Sequence, residues 1–265
     1  SPFGVVDKSG GDPNVSGRTI HDLSFPDGLS INDLTDQASI ERPEYVHCDA
    51  IASEILRVSA TNPDTEVDIM AGDVAAAFRH ISLHSNSVRW FAGLIDEADA
   101  LILELAAPFG WPGSPGTYEI VGGAVSYVHG SHFNADNPDG FFHYHWVDDH
   151  INVTATVGSN RADMDRSLRF ALLAVLGEGA INEDKFTPWA PVQTVLGLQF
   201  DTHSRTVSMP ESKILKARRL VVAAFHSTAM SRTALRSLVG SGHLYPPGPT
   251  VPSTTTSARD LRSPF

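Results

Sequence analysis

Three aspartates stand where strands are expected to end. Asp73 closes the apolar run VDIMAG, and Asp148 and Asp149 lie side by side within FFHYHWVDDHINVTATV. Asp73 and Asp148 are 75 residues apart in sequence but become neighbours if their strands pair. Carboxylates gathered in this way repel each other unless a cation lies between them. Their hard oxygens favour Mg²⁺ or Mn²⁺. Two such ions suit in-line phosphoryl transfer, one activating the attacking hydroxyl and the other holding the leaving phosphates. An Asp-Asp pair alone carries little weight, since most such pairs are solvated turns.

Other groups offer competing chemistry. The chain has 12 histidines, and His80 with His84, and His143 with His145 near His150, have spacings that zinc can use. No cysteine or further ligand pattern completes either set. Cys48 is the single cysteine, so no internal disulfide forms and nothing points to secretion. Without a transmembrane-length apolar run or a signal peptide, the expected setting is intracellular, in cytoplasm or nucleus, with no membrane partner. The start at Ser1 rather than Met suggests a fragment or a processed product.

The elements that must position the aspartates follow from periodicity and turn chemistry. Residues 1–24 read as strand, loop and strand, and residues 25–45, with Pro26, Gly28 and Pro43, as loop. Apolar Ile51, Ile55, Leu56 and Val58 predict a helix over about 49–60, and VDIMAGDV a buried strand. AAAFRHISL reads as a short helical turn passing into a strand. VRWFAGLI and LILEL read as a hairpin around DEADA. Ser114 as N-cap and Pro115 at the first helical position predict a helix over about 115–129. Gly122 and Gly123 inside it suggest close backbone approach. Residues 141–157 read as two strands with the Asp-Asp pair at the turn. Residues 161–179 form an amphipathic helix with Leu168, Leu172, Val175 and Leu176 on one stripe. VQTVLGLQFD and RTVSMP predict a hairpin, followed by helices over ESKILKARRLVVAAFHS and from RTALRSLVG. The fold class is therefore α+β, with helices backing an antiparallel sheet. Residues 241–265 are rich in Pro, Ser and Thr and predict a disordered tail.

Set on these elements, the motifs resemble those of reverse transcriptases. DVAAAFRHISL (73–83) resembles the first palm motif, an Asp followed five residues later by an aromatic. Asp68 lacks that aromatic, so Asp73 is the motif aspartate. PFGWPGSPGTY (108–118) resembles the second motif and WVDD (146–149) the third. INEDK (181–185) is similar to the lysine-bearing segment beyond the next helix. LGLQF (196–200) is similar to the hairpin that grips the primer end, and RTIHDLS (18–24) to a triphosphate-binding fingers strand. The six occur in the family's order over about residues 4–240, with a likeness to retrotransposons of the LTR and tyrosine-recombinase types.

The resemblance implies a polymerase palm over 67–210, partial fingers with the entry to the palm over 1–66, and the start of a thumb over 211–240. It implies an RNA-directed DNA polymerase that uses two Mg²⁺ or Mn²⁺ ions. Its partners would be an RNA or DNA template with primer, deoxynucleoside triphosphates and other domains of a polyprotein. Asp73 and Asp148 would ligate both metals with the backbone carbonyl of Val74, and Asp149 would be the third carboxylate. Phe78 would be the steric gate under the sugar. Arg18, with Lys8, would contact the triphosphate, Phe109 and Gly110 would line the nucleotide pocket, and Lys185 would approach the leaving pyrophosphate. Leu196 and Gly197 would belong to the primer grip. Trp146 stands where the family has tyrosine.

Charge pulls the other way. The net charge is −12, whereas nucleic-acid enzymes usually carry a basic surface. The exception is 205–236, with seven Lys or Arg and only Glu211 acidic, a stretch able to follow a phosphate backbone. The rival expectation is an inactive, truncated retrotransposon remnant that keeps the palm fold.

Overall fold

The computed structural model describes residues 2–7, 17–40, 42–95, 99–227, 229–232, 234–237 and 255–257. The chain divides into two compact units. The first comprises Ser1–Val46, Gly72–His150 and Ala162–Phe186, and the second His47–Ala71, Ile151–Arg161 and Thr187–Phe265.

In the first unit, β1 (Phe3–Asp7) and β2 (Gly17–His21) form an antiparallel hairpin with Val6 opposite Arg18. The 25–45 segment is not all loop, because it holds α1 (Ile31–Leu34). A capping box starts that turn: the Ser30 side chain accepts from Asp33 N, and the Asp33 side chain accepts from Ser30 N. The Ser-x-x-Asp signature was there to be read. In the second unit, α2 (Asp49–Thr61) buries Ile51, Ile55 and Val58 of the expected set, whereas Leu56 is only half-buried.

β3 (Val67–Asp73) crosses from the second unit into the first and is buried along nearly its whole length. A strand covered on both faces reads as a nearly continuous apolar run, and in VDIMAG the one exception, Asp68, is buried against Arg161. After β3, Ala77–His80 form a 3₁₀ turn. The expected strand VRWFAGLI is half correct. Val88–Phe91 are a second 3₁₀ turn, and only β4 (Ala92–Ile95) pairs with β5 (Ala100–Leu103). Phe91 is buried edge-on against Trp111, with ring centroids 5.6 Å apart, and its carbonyl still accepts from Glu104 N at 3.0 Å at the end of the β4–β5 ladder.

The next helix, α3, runs Gly113–Gly130, two residues earlier than expected. Ser114 is not its cap. Pro112 holds the cap position, and the Ser114 hydroxyl donates to Pro108 O at 2.8 Å. Tyr118, Gly122, Val125 and His129 form its buried stripe. Close approach explains Gly122, where a Cβ would stand 3.3 Å from His145 Cδ2, but not Gly123, which faces open space.

β6 (Tyr144–Trp146) and β7 (Asp149–Ala155) follow, with β7 between β3 and β6 in a three-stranded sheet. α4 (Asn160–Leu176) buries Met164, Leu168, Ala171 and Leu172, whereas Val175 and Leu176 are only half-buried, so the expected stripe is displaced toward the N-terminus.

In the second unit the single hairpin expected over 192–210 is a meander. β8 (Val192–Val195), β9 (Leu198–Asp201) and β10 (Thr206–Ser208) pair antiparallel in order. Leu196 and Gly197, at φ 51° and 77°, make the two-residue turn that splits VQTVLGLQFD. Leucine seldom adopts that conformation, so Leu-Gly carried little turn signal. α5 (Glu211–Phe225) buries none of its side chains. Of the tail, Thr255–Ser257 form β11 against β10, and the rest of 241–265 lies outside the described residues.

Candidate active site

Three segments of the first unit meet at Asp73. Its strand ends there, and the backbone continues into two cross-connections. Val74 N donates to Asp148 O at 3.0 Å, and Asn182 N donates to Asp73 O at 3.1 Å. A bridge between Val74 and Ile181 fixes the second register. The first contact ties β3 to the β6–β7 turn, and the second ties it to the loop after α4.

The Asp-Asp turn is built on strain. Val147 sits at φ 52°, a left-handed conformation that costs a β-branched residue roughly 1–3 kcal/mol. Trp146 is stacked on Tyr45 at 4.4 Å and stays 39% exposed beside the carboxylates.

The charges are unevenly compensated. Asp73 is buried and gives both oxygens away: Asn182 Nδ2 donates to Oδ1 at 2.5 Å, and Lys185 Nζ donates to Oδ2 at 2.8 Å. That bond, with the surrounding carboxylates, raises the Lys185 ammonium above its ordinary range. Asp148 and Asp149 are half-buried. Burial first, and then the neighbouring Asp73 charge, pushes the Asp148 carboxyl up. Burial together with the Asp148 and Asp73 charges raises Asp149 to about 6. These are the signs of too much negative charge in too little water.

Beside the carboxylates lies an aromatic cluster. Phe78 and Phe109 have ring centroids 4.9 Å apart, and Tyr118 meets Phe78 edge-on at 5.8 Å. Tyr118 is fully buried, and burial raises its phenol well above the ordinary range. Gly110, at φ 100°, turns the chain so that its carbonyl accepts from Asn32 Nδ2 at 2.9 Å. A Cβ there would stand 3.1 Å from His21 O.

The structure therefore brings together Asp73, Val74, Asp148, Asp149 and Lys185, and places Phe78 against Phe109. Arg18 lies on β2, but its side chain falls outside the described residues, as does the whole of Lys8. Leu196 and Gly197 belong to the second unit, where Lys213 Nζ donates to Gly197 O at 3.1 Å. Asp68 is also in the second unit, buried and paired with Arg161.

The histidine pairs are taken up individually. His80 Nε2 meets Ala75 O at 2.8 Å, and His145 bridges Ser126 and Glu119, at 2.8 Å to each. Sequence reading missed Asn182, Tyr118 and Tyr45. Asn182 had a signal, lying three residues before Lys185 in INEDK, and Tyr118 closes the Ser-Pro motif.

No protein-family profile matches the chain, and no curated protein matches it. Solved structures do match, among them three of a foamy viral protease-reverse transcriptase. The one in complex with an RNA/DNA hybrid has a TM-score of 0.59 at 16% identity, over 92% of this chain and 27% of that one. A form designated dRH, in complex with ds DNA, has a TM-score of 0.59 at 17% identity, over 91% and 35%. A third, with dsDNA, has a TM-score of 0.57 at 16% identity, over 92% and 42%. The chain thus has a reverse-transcriptase-like fold, mixed α/β with antiparallel sheets, and spans well under half the length of those chains.

Proposed function

We propose that the chain is the polymerase core of a retrotransposon reverse transcriptase, joining deoxynucleotides to a primer 3′-hydroxyl on an RNA or DNA template. The observation that carries this is the convergence of a strand-end aspartate with a strained Asp-Asp turn inside a reverse-transcriptase-like fold.

The donor chemistry fits divalent cations. Three carboxylates share a partly buried space, and burial, with the Asp148 and Asp73 charges that Lys185 only partly offsets, raises Asp149 to about 6. Among the described residues, no three His, Cys, Asp or Glu side chains are gathered closely enough to hold a metal ion. Asp73 is committed to Asn182 and Lys185 instead. Asp73, Asp148, Asp149 and the Val74 carbonyl would hold two Mg²⁺ or Mn²⁺ ions once Asp73 exchanges Lys185 for a cation. Such ions lower the pKa of the attacking hydroxyl and neutralise charge on the leaving phosphates.

The remaining roles belong to side chains. Lys185, tethered beside Asp73, contacts the departing pyrophosphate and hands it a proton. Phe78, braced by Phe109 and Tyr118, closes the space under the sugar and excludes a 2′-hydroxyl. Arg18 and Lys8 meet the triphosphate, Phe109 and Gly110 line the nucleotide pocket, and Leu196 and Gly197 hold the primer end. The chain's partners would include other domains of a polyprotein. No described helix is long and apolar enough to cross a membrane, and the setting we infer is intracellular.

Primer extension on poly(rA)/oligo(dT) with Mg²⁺ or Mn²⁺ tests the reading, beside an Asp148→Asn, Asp149→Asn control. Activity lost in the control is the expected result. A folded chain inactive in both forms would instead identify a remnant that keeps the fold without the activity.

A further inference from the structure

Two donors hold Asp73, and they differ in kind. Asn182 is half-buried and its amide is neutral. Its place is fixed by the Val74–Ile181 bridge, which sets Asn182 across from Asp73, with its N–H on Asp73 O at 3.1 Å and its Nδ2 on Oδ1 at 2.5 Å. Asn182 also anchors the following turn, since its carbonyl accepts from Lys185 N at 3.0 Å and Phe186 N at 3.2 Å. The Lys185 side chain is charged and 59% exposed, and it reaches Oδ2 only through the end of a flexible stem.

A cation arriving at Asp73 meets these donors differently. An ammonium competes with it directly, because both want the same carboxylate charge. A neutral amide on the other oxygen does not compete, and it stops the carboxylate from rotating. Asp73 itself is 3% exposed, so water has little room to replace a lost donor. We propose that Asn182 is the positioning residue of Asp73, holding Oδ1 so that Oδ2, now paired with Lys185, is the oxygen a divalent cation takes. The inference rests on the polymerase reading and adds a residue to that site.

The two donors then have opposite effects on metal affinity. Groups that orient a ligating carboxylate typically contribute 10- to 100-fold to metal binding. Mn²⁺ binding to the full chain, followed by the electron paramagnetic resonance of free Mn²⁺, reads this without any turnover. Asn182→Ala should weaken binding by roughly 10-fold or more, while Lys185→Met should tighten it. General damage to the loop would weaken binding in both variants, so the opposite signs separate positioning from structure. Asn182→Ser, with a shorter donor, should fall between wild type and alanine and carries the test if Asn182→Ala misfolds by circular dichroism. Wild-type affinity in the folded Asn182 variants, or weakened binding in Lys185→Met, would overturn the inference and leave the polymerase reading standing. A wild-type chain that binds no Mn²⁺ would overturn both.

Discussion

Gly72 precedes Asp73 in β3, and its missing side chain is a steric requirement. A Cβ there would stand 2.7 Å from Phe186 Cζ and 2.8 Å from Leu168 Cδ2. Neither neighbour can easily give way. Leu168 is fully buried in α4, and Phe186 lies under the Arg169 guanidinium at 4.3 Å. Overpacking of this kind costs roughly 1–3 kcal/mol. Replacing glycine stabilises by roughly 0.4–1 kcal/mol through the unfolded chain, which leaves Gly72→Ala destabilised by roughly 1–2 kcal/mol. At roughly 2–4 °C per kcal/mol for a chain of this size, Tm should fall by about 2–8 °C. Phe186 follows Lys185 directly, so the same shift should disturb the Lys185 contact with Asp73 and lower primer extension. Gly123→Ala is the control. It faces open space inside α3, and losing a helix-interior glycine should stabilise by roughly 0.8–1 kcal/mol. Thermal and urea unfolding of both variants should therefore give opposite signs. A Gly72→Ala chain as stable as wild type would refute the packing argument.

Other expectations follow from the same geometry. Phe78→Val should relax discrimination against ribonucleotides by more than roughly 10-fold, measured as the ratio of deoxynucleotide to ribonucleotide incorporation; an unchanged ratio would remove Phe78 as the gate. His21 is buried and stacked on Phe3 at 4.1 Å, and burial holds its imidazole below the ordinary value. Its contribution to stability is complete above the unfolded value near roughly 6.5 and is lost as pH falls toward the folded one; Tm measured between about pH 7.5 and 5 should show this loss, and His21→Phe should flatten it. Arg161→Ala leaves the buried Asp68 charge unpaired and should cost about 3 kcal/mol, the low end for such a loss because Arg161 is itself partly exposed. Asp68→Asn should cost less, since burial already pushes that carboxyl up, and urea unfolding compares the two. If Lys213, Lys216, Arg218 and Arg219 of α5 track a phosphate backbone, log affinity for a primer–template should fall against log salt with a slope of roughly −3 to −4.

Long elements with one clear period were legible in the sequence. The face of α2 and the N-terminal part of the α4 face followed from apolar spacing, and β3 from an apolar run broken only by Asp68. What escaped was decided by contacts distant in sequence. Phe91 leaves the expected strand because Trp111 gives it a place in the core. Ser114 has the right type and place for a cap, but Pro108 O takes its hydroxyl. Leu196 and Val147 adopt left-handed backbone that their side chains disfavour, so no turn signal marked either position. The carboxylates were legible because motif spacing marks residue type. The pairing of Asn182 with Asp73 was not, since a hydrogen bond between residues 109 apart in sequence depends on a bridge that no local pattern encodes.

That contrast bears on what the site costs and how it is held. Asp73 sits on a buried strand, where a carboxylate without partners loses hydration that nothing replaces. Asn182 and Lys185 supply the replacement, and both come from one short loop after α4. The Asp148 carboxyl has only its own backbone N–H and the Lys185 charge to offset burial and the Asp73 charge, and it is the Asp148 and Asp149 carboxyls that are raised. Compensation is thus concentrated on the aspartate with the least access to water, and strain on the turn that carries the other two. A fold kept only for packing would gain by losing both the strain and the charge, through Gly at 147 and Asn at 149. Both features are what the proposed cation site would use: carboxylates brought together on a sharply turned backbone.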